Sequence, residues 1–265
     1  MQRIVFVHGF TQTGRSWDPI IKLLPARWEF VAVDLPGHGE TEKAEDFEEA
    51  AGHLGEAQGA AVYVGYSMGG RIALQLAVTH PATVEALVLI GVTAGIADGV
   101  DRAARLAADE ELAAEIEQTP LRDFLERWLS QPMFTGLPPG EIDTRLSNTS
   151  IGLASTLRSM GTGAMKPLWN DLPRLEMPVL LVTGALDEKF TALATRMHSM
   201  IPNANRETIA GADHAAHIER PKEFARILEE FLVTRSIAPQ QDGSQRSYEG
   251  GQHRLAARDP RPRRR

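Results

Sequence analysis

One stretch of the chain constrains the possible fold more than any other. Residues 61–74 read AVYVGYSMGGRIAL: a short apolar strand, a Gly-x-Ser-x-Gly turn and the start of a helix. In this context the turn lifts the Ser67 hydroxyl above the end of a buried sheet, while Gly65 and Gly69 leave room for close packing. The hydroxyl then faces a helix N-terminus, where amide groups favour developing negative charge. The stretch therefore predicts a chemically active serine.

Short runs rich in Val and Ile recur along the chain and are typical of strands buried on both faces. They lie at residues 4–7, 30–33, 62–64, 86–90 and 179–182, with a weaker run at 207–209. Amphipathic patterns predict helices near residues 17–24, 72–78 and 224–232. Gly52 and Gly55 weaken any helix between Glu40 and Gly59. Strands that alternate with helices predict an α/β fold with a mostly parallel, doubly wound sheet.

The alternation stops between residues 95 and 176, where apolar stripes at helical spacing occur without a convincing strand. We therefore expect one α/β core formed by residues 1–94 and 177–234, with a helical cap inserted at 95–176. Residues 235–265 are rich in Gln, Gly, Ser, Pro and Arg and lack apolar periodicity. This composition predicts a disordered basic tail.

Charge and cysteine content narrow the possible functions. The net charge is -7, but residues 235–265 carry eight arginines against three acidic residues, so the tail is +5 and the remainder -12. An acidic body argues against specific nucleic-acid binding, although the tail could touch polyanions non-specifically. The absence of cysteine excludes a thiolate nucleophile and a disulfide framework. No apolar run is long enough for a signal peptide or a membrane span, so we expect a cytoplasmic protein.

A serine hydroxyl needs a base, and a histidine oriented by a carboxylate is the usual one. Asp187 follows the predicted strand at 179–182, and His214 follows the weak strand at 207–209. Both positions lie where open α/β sheets place their sites. His217 and Asp213 are the alternatives, and the position of His214 in the loop favours it. The sequence thus predicts a Ser67, Asp187 and His214 triad.

Two backbone amides are candidates for stabilising a developing oxyanion, because such a site draws one donor from the residue after the serine and one from an early loop. Met68 follows the serine, and Phe10 lies in the turn after the first strand. His8, His38 and Asp34 are expected to be structural. The predicted chemistry needs no metal and no organic cofactor.

With these residues in place, the chain resembles the α/β-hydrolase superfamily over about residues 2–233. Within it, the chain resembles the 2-succinyl-6-hydroxy-2,4-cyclohexadiene-1-carboxylate synthase family of menaquinone biosynthesis. The matching segments include GYSMGGR at 65–71, WLSQPMF at 128–134, RLSN at 145–148, LRSMGTG at 157–163 and DEKF at 187–190. The segments in the cap and Arg71 are the more specific of these matches.

The resemblance implies an α/β-hydrolase fold and a carbon–oxygen lyase that eliminates pyruvate from a small tricarboxylate, with the triad serine acting as a base. Arginine suits carboxylates because its planar fork binds them bidentately. The matching positions imply a substrate site formed by Arg71, Arg105, Arg145, Trp128 and Tyr66. Arg102 replaces Arg105 if the match in the cap slips by one turn.

Two other functions stay open at this point. The same triad serves carboxylesterases and carbon–carbon bond hydrolases, in which the serine attacks covalently. The chain could also be a non-catalytic protein that binds a small ligand beneath its cap. Oligomeric state is not constrained by the sequence.

Overall fold

The computed structural model of the chain describes residues 1–39 and 45–237. It centres on a six-stranded, wholly parallel sheet in the order β2-β1-β3-β4-β5-β6. The strands are β1 (Arg3–Val7), β2 (Glu29–Val33), β3 (Ala61–Tyr66), β4 (Val84–Ile90), β5 (Val179–Gly184) and β6 (Ala204–Ile209). Each predicted run lies in one of these strands, so the predicted α/β class is confirmed.

Helices connect the strands and cover the sheet. The α-helices of the described residues are α1 (Asp18–Ile21), α2 (Phe47–Gln58), α3 (Met68–Thr79), α4 (Gly99–Gln118), α5 (Leu121–Leu129), α6 (Glu141–Arg145), α7 (Ser150–Met160), α8 (Glu188–His198), α9 (Ala216–Glu219) and α10 (Pro221–Ile237). Short 3-10 turns lie at Gly14–Trp17, Pro81–Thr83, Pro132–Phe134 and Leu172–Arg174.

Both faces of the sheet are buried, because successive side chains of a strand point to opposite sides. Val5 and Tyr63 join residues of α2, α3 and α8 in one apolar core. Phe6 and Val64 join residues of α1 and α10 in a second core on the other face. Coverage on both faces explains why the central strands are apolar throughout, and it confirms the doubly wound arrangement.

The four helices α4 to α7, which we call the cap, lie between β4 and β5 in the chain. They have a small core of their own, which includes Ile116, Phe124 and Leu153. Phe10, in the loop after β1, packs against this core and against the core of the sheet. The cap therefore lies over the carboxyl end of β1, close to the predicted serine. The predicted limits of the insertion, 95 and 176, stay a prediction.

Two helices bear on the expectations from the sequence. A twelve-residue helix, α2, forms despite Gly52 and Gly55. It begins with a capping box in which the Asp46 side chain accepts from the Glu49 amide and the Glu49 side chain accepts from the Asp46 amide, and it buries an apolar face on α3. Helix α10 runs to Ile237, three residues past the predicted start of the tail. No glycine or proline interrupts the chain there before Pro239. Residues 238–265 of the predicted tail lie outside the described residues.

Candidate active site

The serine lies on a strained turn between β3 and α3. Ser67 has φ 49° and ψ -108°, a backbone conformation that residues other than glycine rarely adopt. Tight packing around the turn requires the flanking glycines. A Cβ atom on Gly65 would lie 2.5 Å from the Gly70 Cα, and one on Gly69 would lie 2.5 Å from the Val7 carbonyl oxygen. The strain is thus held by the contact between α3 and strands β1 and β3.

The three predicted triad side chains meet at this turn. The Nε2 atom of His214 lies 3.3 Å from the Ser67 Oγ, and its Nδ1 lies 2.7 Å from the Asp187 Oδ2. Asp187 directly precedes α8, and its other oxygen accepts a hydrogen bond from the Phe190 amide at 3.1 Å. Because Nδ1–H donates its hydrogen bond to the carboxylate, the lone pair of Nε2 is left to accept a proton from the serine.

Aromatic packing and one glycine fix the imidazole. The ring centroid of His214 lies 4.4 Å from that of Phe190 and 5.4 Å from that of Tyr66. On another side of the ring lies Gly91, at φ 59°, where a Cβ atom would approach the His214 Cε1 to 2.9 Å. A side chain at residue 91 would therefore push the imidazole away from the serine.

The rival residues have other positions. His217 is fully buried between Trp17 and Tyr66, with ring centroids 4.6 and 4.4 Å away, and within residues 1–39 and 45–237 neither of its nitrogens has a partner. Burial lowers its pKa to about 3, so the ring is neutral. The Asp213 carboxylate accepts from the His214 amide at 2.9 Å, which orders the loop. Neither residue takes part in the hydrogen bonds of the triad.

The predicted oxyanion donors lie on either side of the serine. The Phe10 and Met68 amide nitrogens have no acceptor in the described part of the chain, as a site that awaits an oxyanion requires. The turn before Phe10 is held by His8, whose Nε2 accepts from the Leu35 amide at 3.0 Å and whose Nδ1 donates to the Gly9 carbonyl at 2.8 Å. Burial lowers the pKa of His8 to about 4, consistent with this neutral, structural role.

A cavity of about 430 Å³ opens above the serine, between the sheet and the cap. Nine of the ten predicted site residues line it, and the tenth, Asp187, lies behind His214. An adjoining cavity of about 350 Å³ shares Ser67, Arg71 and Arg105 with the first. Nine of the predicted residues thus line one cavity, and a second cavity shares part of its wall.

Arg71 is a buried cation in the wall of both cavities. Its side chain is buried on α3, and its Nη1 donates to the Met160 carbonyl at 3.2 Å. The guanidinium lies 5.0 Å from the centre of the Phe47 ring. Among the residues that the structure describes, no carboxylate forms an ion pair with it. Burial and the nearby charge of Arg105 lower its pKa to about 9, which marks an environment that favours an added anion.

The two cap arginines already have carboxylate partners. Arg105 donates from Nε to the buried Asp109 carboxylate at 2.7 Å. Arg145 is buried, and its Nη1 pairs with Glu141. Both arginines nevertheless line the larger cavity. The alternative, Arg102, donates to the Ile96 carbonyl and lines neither cavity, so the structure favours Arg105.

Aromatic side chains also line the larger cavity. Trp128 meets Phe10 edge-on at 5.4 Å between centroids and lies 5.8 Å from Phe134. Tyr66 is buried beside the triad histidine, and burial raises the pKa of its hydroxyl, which stays protonated. Lys189, which sequence reasoning missed, lines both cavities. The sequence feature that could have indicated Lys189 is its position two residues after Asp187.

The described ranges 1–39 and 45–237 contain neither a metal-binding cluster nor a membrane-spanning helix. No group of three or more His, Asp or Glu side chains there could hold a metal ion. No helix there has the length and apolar character needed to cross a membrane.

A parallel sheet with a strained serine turn after one strand, a carboxylate after another and a histidine after the last defines the α/β-hydrolase class. The profile of the alpha/beta hydrolase family matches residues 4–227. A Bacillus subtilis (strain 168) protein, provisionally named 2-succinyl-6-hydroxy-2,4-cyclohexadiene-1-carboxylate synthase, is 34% identical, and the match covers 88% of this chain and 91% of that one. The synthase of the same name from Enterobacter sp. (strain 638) is 32% identical, with coverage of 88% and 92%.

A solved structure agrees with these relatives. The structure of MenH from S. aureus matches with a TM-score of 0.84 at 29% identity, over 89% of this chain and 94% of that one. The chain belongs to the alpha/beta hydrolase family and, within it, to the family of 2-succinyl-6-hydroxy-2,4-cyclohexadiene-1-carboxylate synthases.

Proposed function

We propose that this chain is a lyase of menaquinone biosynthesis. It eliminates pyruvate from 2-succinyl-5-enolpyruvyl-6-hydroxy-3-cyclohexene-1-carboxylate to give 2-succinyl-6-hydroxy-2,4-cyclohexadiene-1-carboxylate. The observation that carries the proposal is Arg71, a buried cation without a carboxylate partner in the described chain, one helical turn beyond Ser67 and in the wall of the same cavity. Such a residue calls for an anionic ligand next to the serine, and the substrate carries three carboxylates.

The triad supplies the base. His214 takes the Ser67 proton through Nε2, and the serine oxygen removes a proton from the ring carbon next to the unsaturated system. The electron pair of that C–H bond forms a new ring double bond, the existing ring double bond shifts by one position toward the leaving group, and the C–O bond to the enolpyruvyl group breaks. The departing enolate takes up the proton and leaves as pyruvate. Asp187 keeps the imidazole in the required tautomer and stabilises its charged form.

Backbone amides and cations stabilise the charge that develops. The Phe10 and Met68 amides face the negative charge that accumulates during proton removal. Arg71 binds a substrate carboxylate with both arms of its fork. Arg105 and Arg145 contribute less per residue, because both already share their charge with acidic partners. Lys189 adds a further positive charge to the cavity wall. Trp128 and Tyr66 hold the ring.

Every step uses side chains and amides of this chain, so the mechanism requires no metal and no organic cofactor. The proposed ligand is a small tricarboxylate, and we propose no specific nucleic-acid partner, because the body of the chain is acidic. A cytoplasmic location stays a prediction from the sequence.

Pyruvate release tests the function. The purified chain is supplied with the enolpyruvyl substrate, and pyruvate is measured through lactate dehydrogenase and NADH. We expect turnover by the native chain and a fall of roughly 10³-fold or more in Ser67→Ala, as is usual for loss of a central catalytic group. Ser199→Ala, an exposed serine on α8's C-terminal side, is the matched control and should keep native activity. Turnover that persists undiminished in Ser67→Ala would discard the assignment.

A neutral ester separates the lyase from a hydrolase with the same triad. Arg71→Ala should lower turnover of the tricarboxylate and leave any weak hydrolysis of p-nitrophenyl acetate unchanged. If the native chain hydrolyses the ester efficiently and releases no pyruvate, the chain is a hydrolase instead.

A further inference from the structure

Thr11 has a backbone conformation that its side chain disfavours. It lies next to Phe10, the proposed oxyanion donor, and has φ 67°. In residues 1–39 and 45–237, Thr11 and Ser67 are the two residues other than glycine with positive φ. A β-branched residue in this region is an outlier that persists only when its surroundings hold it.

The contacts come from the cap, across a sequence separation of more than 130 residues. Asn148 donates from Nδ2 to the Thr11 carbonyl at 2.7 Å, and Arg145 donates from Nε to the Thr11 hydroxyl at 3.2 Å. Thr11 itself is fully buried. Its hydroxyl is thus held by the last residue of α6, and its carbonyl by the segment that follows α6.

Asn148 is in turn fixed by two further hydrogen bonds. Its Nδ2 also donates to the Arg145 carbonyl at 2.9 Å, and its Oδ1 accepts from the Gly39 amide at 2.9 Å. The side chain is buried, 5% exposed. Because its amide meets two carbonyl oxygens and one N–H group, only one orientation satisfies all three. Asn148 therefore joins the cap, the loop after β1 and the loop after β2.

We propose that Asn148 is a positioning residue: it holds Thr11 at positive φ and so aims the Phe10 amide at the developing oxyanion. The cap completes the oxyanion site of the sheet in this way. The same link extends to the substrate side, because Arg145 holds the Thr11 hydroxyl and also lines the cavity. The catalytic part of this inference rests on the proposed function; the structural part does not.

The first test is the crystal structure of Asn148→Asp. Aspartate keeps the size of the side chain and an acceptor for the Gly39 amide, and it replaces the donor to Thr11 with a carboxylate oxygen that repels the Thr11 carbonyl. We expect Thr11 to leave the positive-φ region and the Phe10 nitrogen to move by about 1 Å or more. A Thr11 that stays at positive φ with an unmoved Phe10 amide would overturn the proposal, whatever reaction the enzyme catalyses.

The second test is kinetic. In the pyruvate-release assay, we expect Asn148→Asp and Asn148→Ala to lower kcat roughly 10²-fold, the usual effect of losing or misplacing one oxyanion donor, with KM within about threefold. Ser147→Ala, at the exposed neighbouring residue, should keep native kcat. A rise in KM as large as the fall in kcat would contradict the positioning role, and so would native kcat in both Asn148 variants.

A rescue separates positioning from general loss of structure. Glycine adopts positive φ without a steric cost, so residue 11 no longer needs the tether once it is glycine. We expect the double variant Thr11→Gly, Asn148→Ala to have a kcat at least fivefold higher than that of Asn148→Ala alone. If the double variant is as slow as the single one or slower, strain at residue 11 is not what Asn148 controls. Absence of pyruvate release from the native chain would instead refute the proposed function and leave the crystallographic test to decide.

Discussion

Replacing Arg71 by methionine should make the empty protein more stable and much less active. The pKa of Arg71 falls from 12.5 to about 9. At about 1.4 kcal/mol per pKa unit, the buried charge destabilises the fold by roughly 5 kcal/mol at most. Methionine at residue 71 cannot form the hydrogen bond to the Met160 carbonyl or the cation–π contact with Phe47. Losing these two stabilising contacts costs about 3 kcal/mol, which offsets part of the gain. The balance is a gain of about 2 kcal/mol.

The gain is measured by urea denaturation of the unliganded protein. In thermal unfolding it corresponds to an increase in Tm of about 5 °C for a chain of this size. The same variant should lose roughly 10²-fold or more in kcat/KM for the tricarboxylate, since a charged hydrogen-bonding partner of the substrate is gone. Arg158→Met is the control: this exposed arginine pairs with Glu110 and Glu117 away from the cavities, so the change should not stabilise the protein and should leave turnover intact. An Arg71→Met protein that is less stable than the native one would refute the view of Arg71 as an unsatisfied charge.

Two further changes test buried groups next to the triad. His217 has its pKa lowered to about 3, so below pH 6.5 the unfolded chain binds a proton that the native state does not, and native stability falls as the pH drops. Between pH 7 and pH 5, the free energy of unfolding of His217→Phe should therefore fall by about 2 kcal/mol less than that of the native chain. Denaturation at both pH values measures this difference, and equal falls would contradict the reasoning. Gly91→Ala should lower kcat roughly 10²-fold by displacing the His214 ring, while Gly99→Ala, whose added Cβ meets nothing within 4 Å, should not. Native kcat in Gly91→Ala would show that the His214 ring accommodates a side chain at residue 91 without displacement from the serine.

Much of the fold could be predicted because its signals are local. A strand buried on both faces in a parallel sheet is apolar along its whole length, so the six runs identified the strands without knowledge of their neighbours. Asp187 and His214 could be placed because parallel strands bring their carboxyl ends to one edge, and each residue follows a strand directly. That these side chains meet is seen in the structure; their catalytic roles stay predictions.

The cap and its links could not be predicted in the same way. Nothing near Asn148 in the sequence indicates that it bonds to Thr11, because the two are 137 residues apart and the bond depends on how the cap packs on the sheet. The ion pair of Arg145 with Glu141 is local, at a spacing of four residues. Whether Glu141 competes with a substrate carboxylate for Arg145 depends on the burial of both side chains, which the sequence does not show. Lys189 faces the cavity only because α8 begins at residue 188.

The two strained residues share a relation to the proposed oxyanion site. Ser67 immediately precedes the Met68 amide, and Thr11 immediately follows Phe10, so each proposed donor has a positive-φ neighbour. Different parts of the chain hold the two conformations: close glycine packing within the core holds Ser67, and hydrogen bonds from the cap hold Thr11. One proposed donor is therefore held by the packing of the core, and the other depends on contacts from the cap. On this proposal the oxyanion site is complete only while the cap contacts the loop after β1, so a change that loosens the cap should lower kcat even when every residue of the triad is intact.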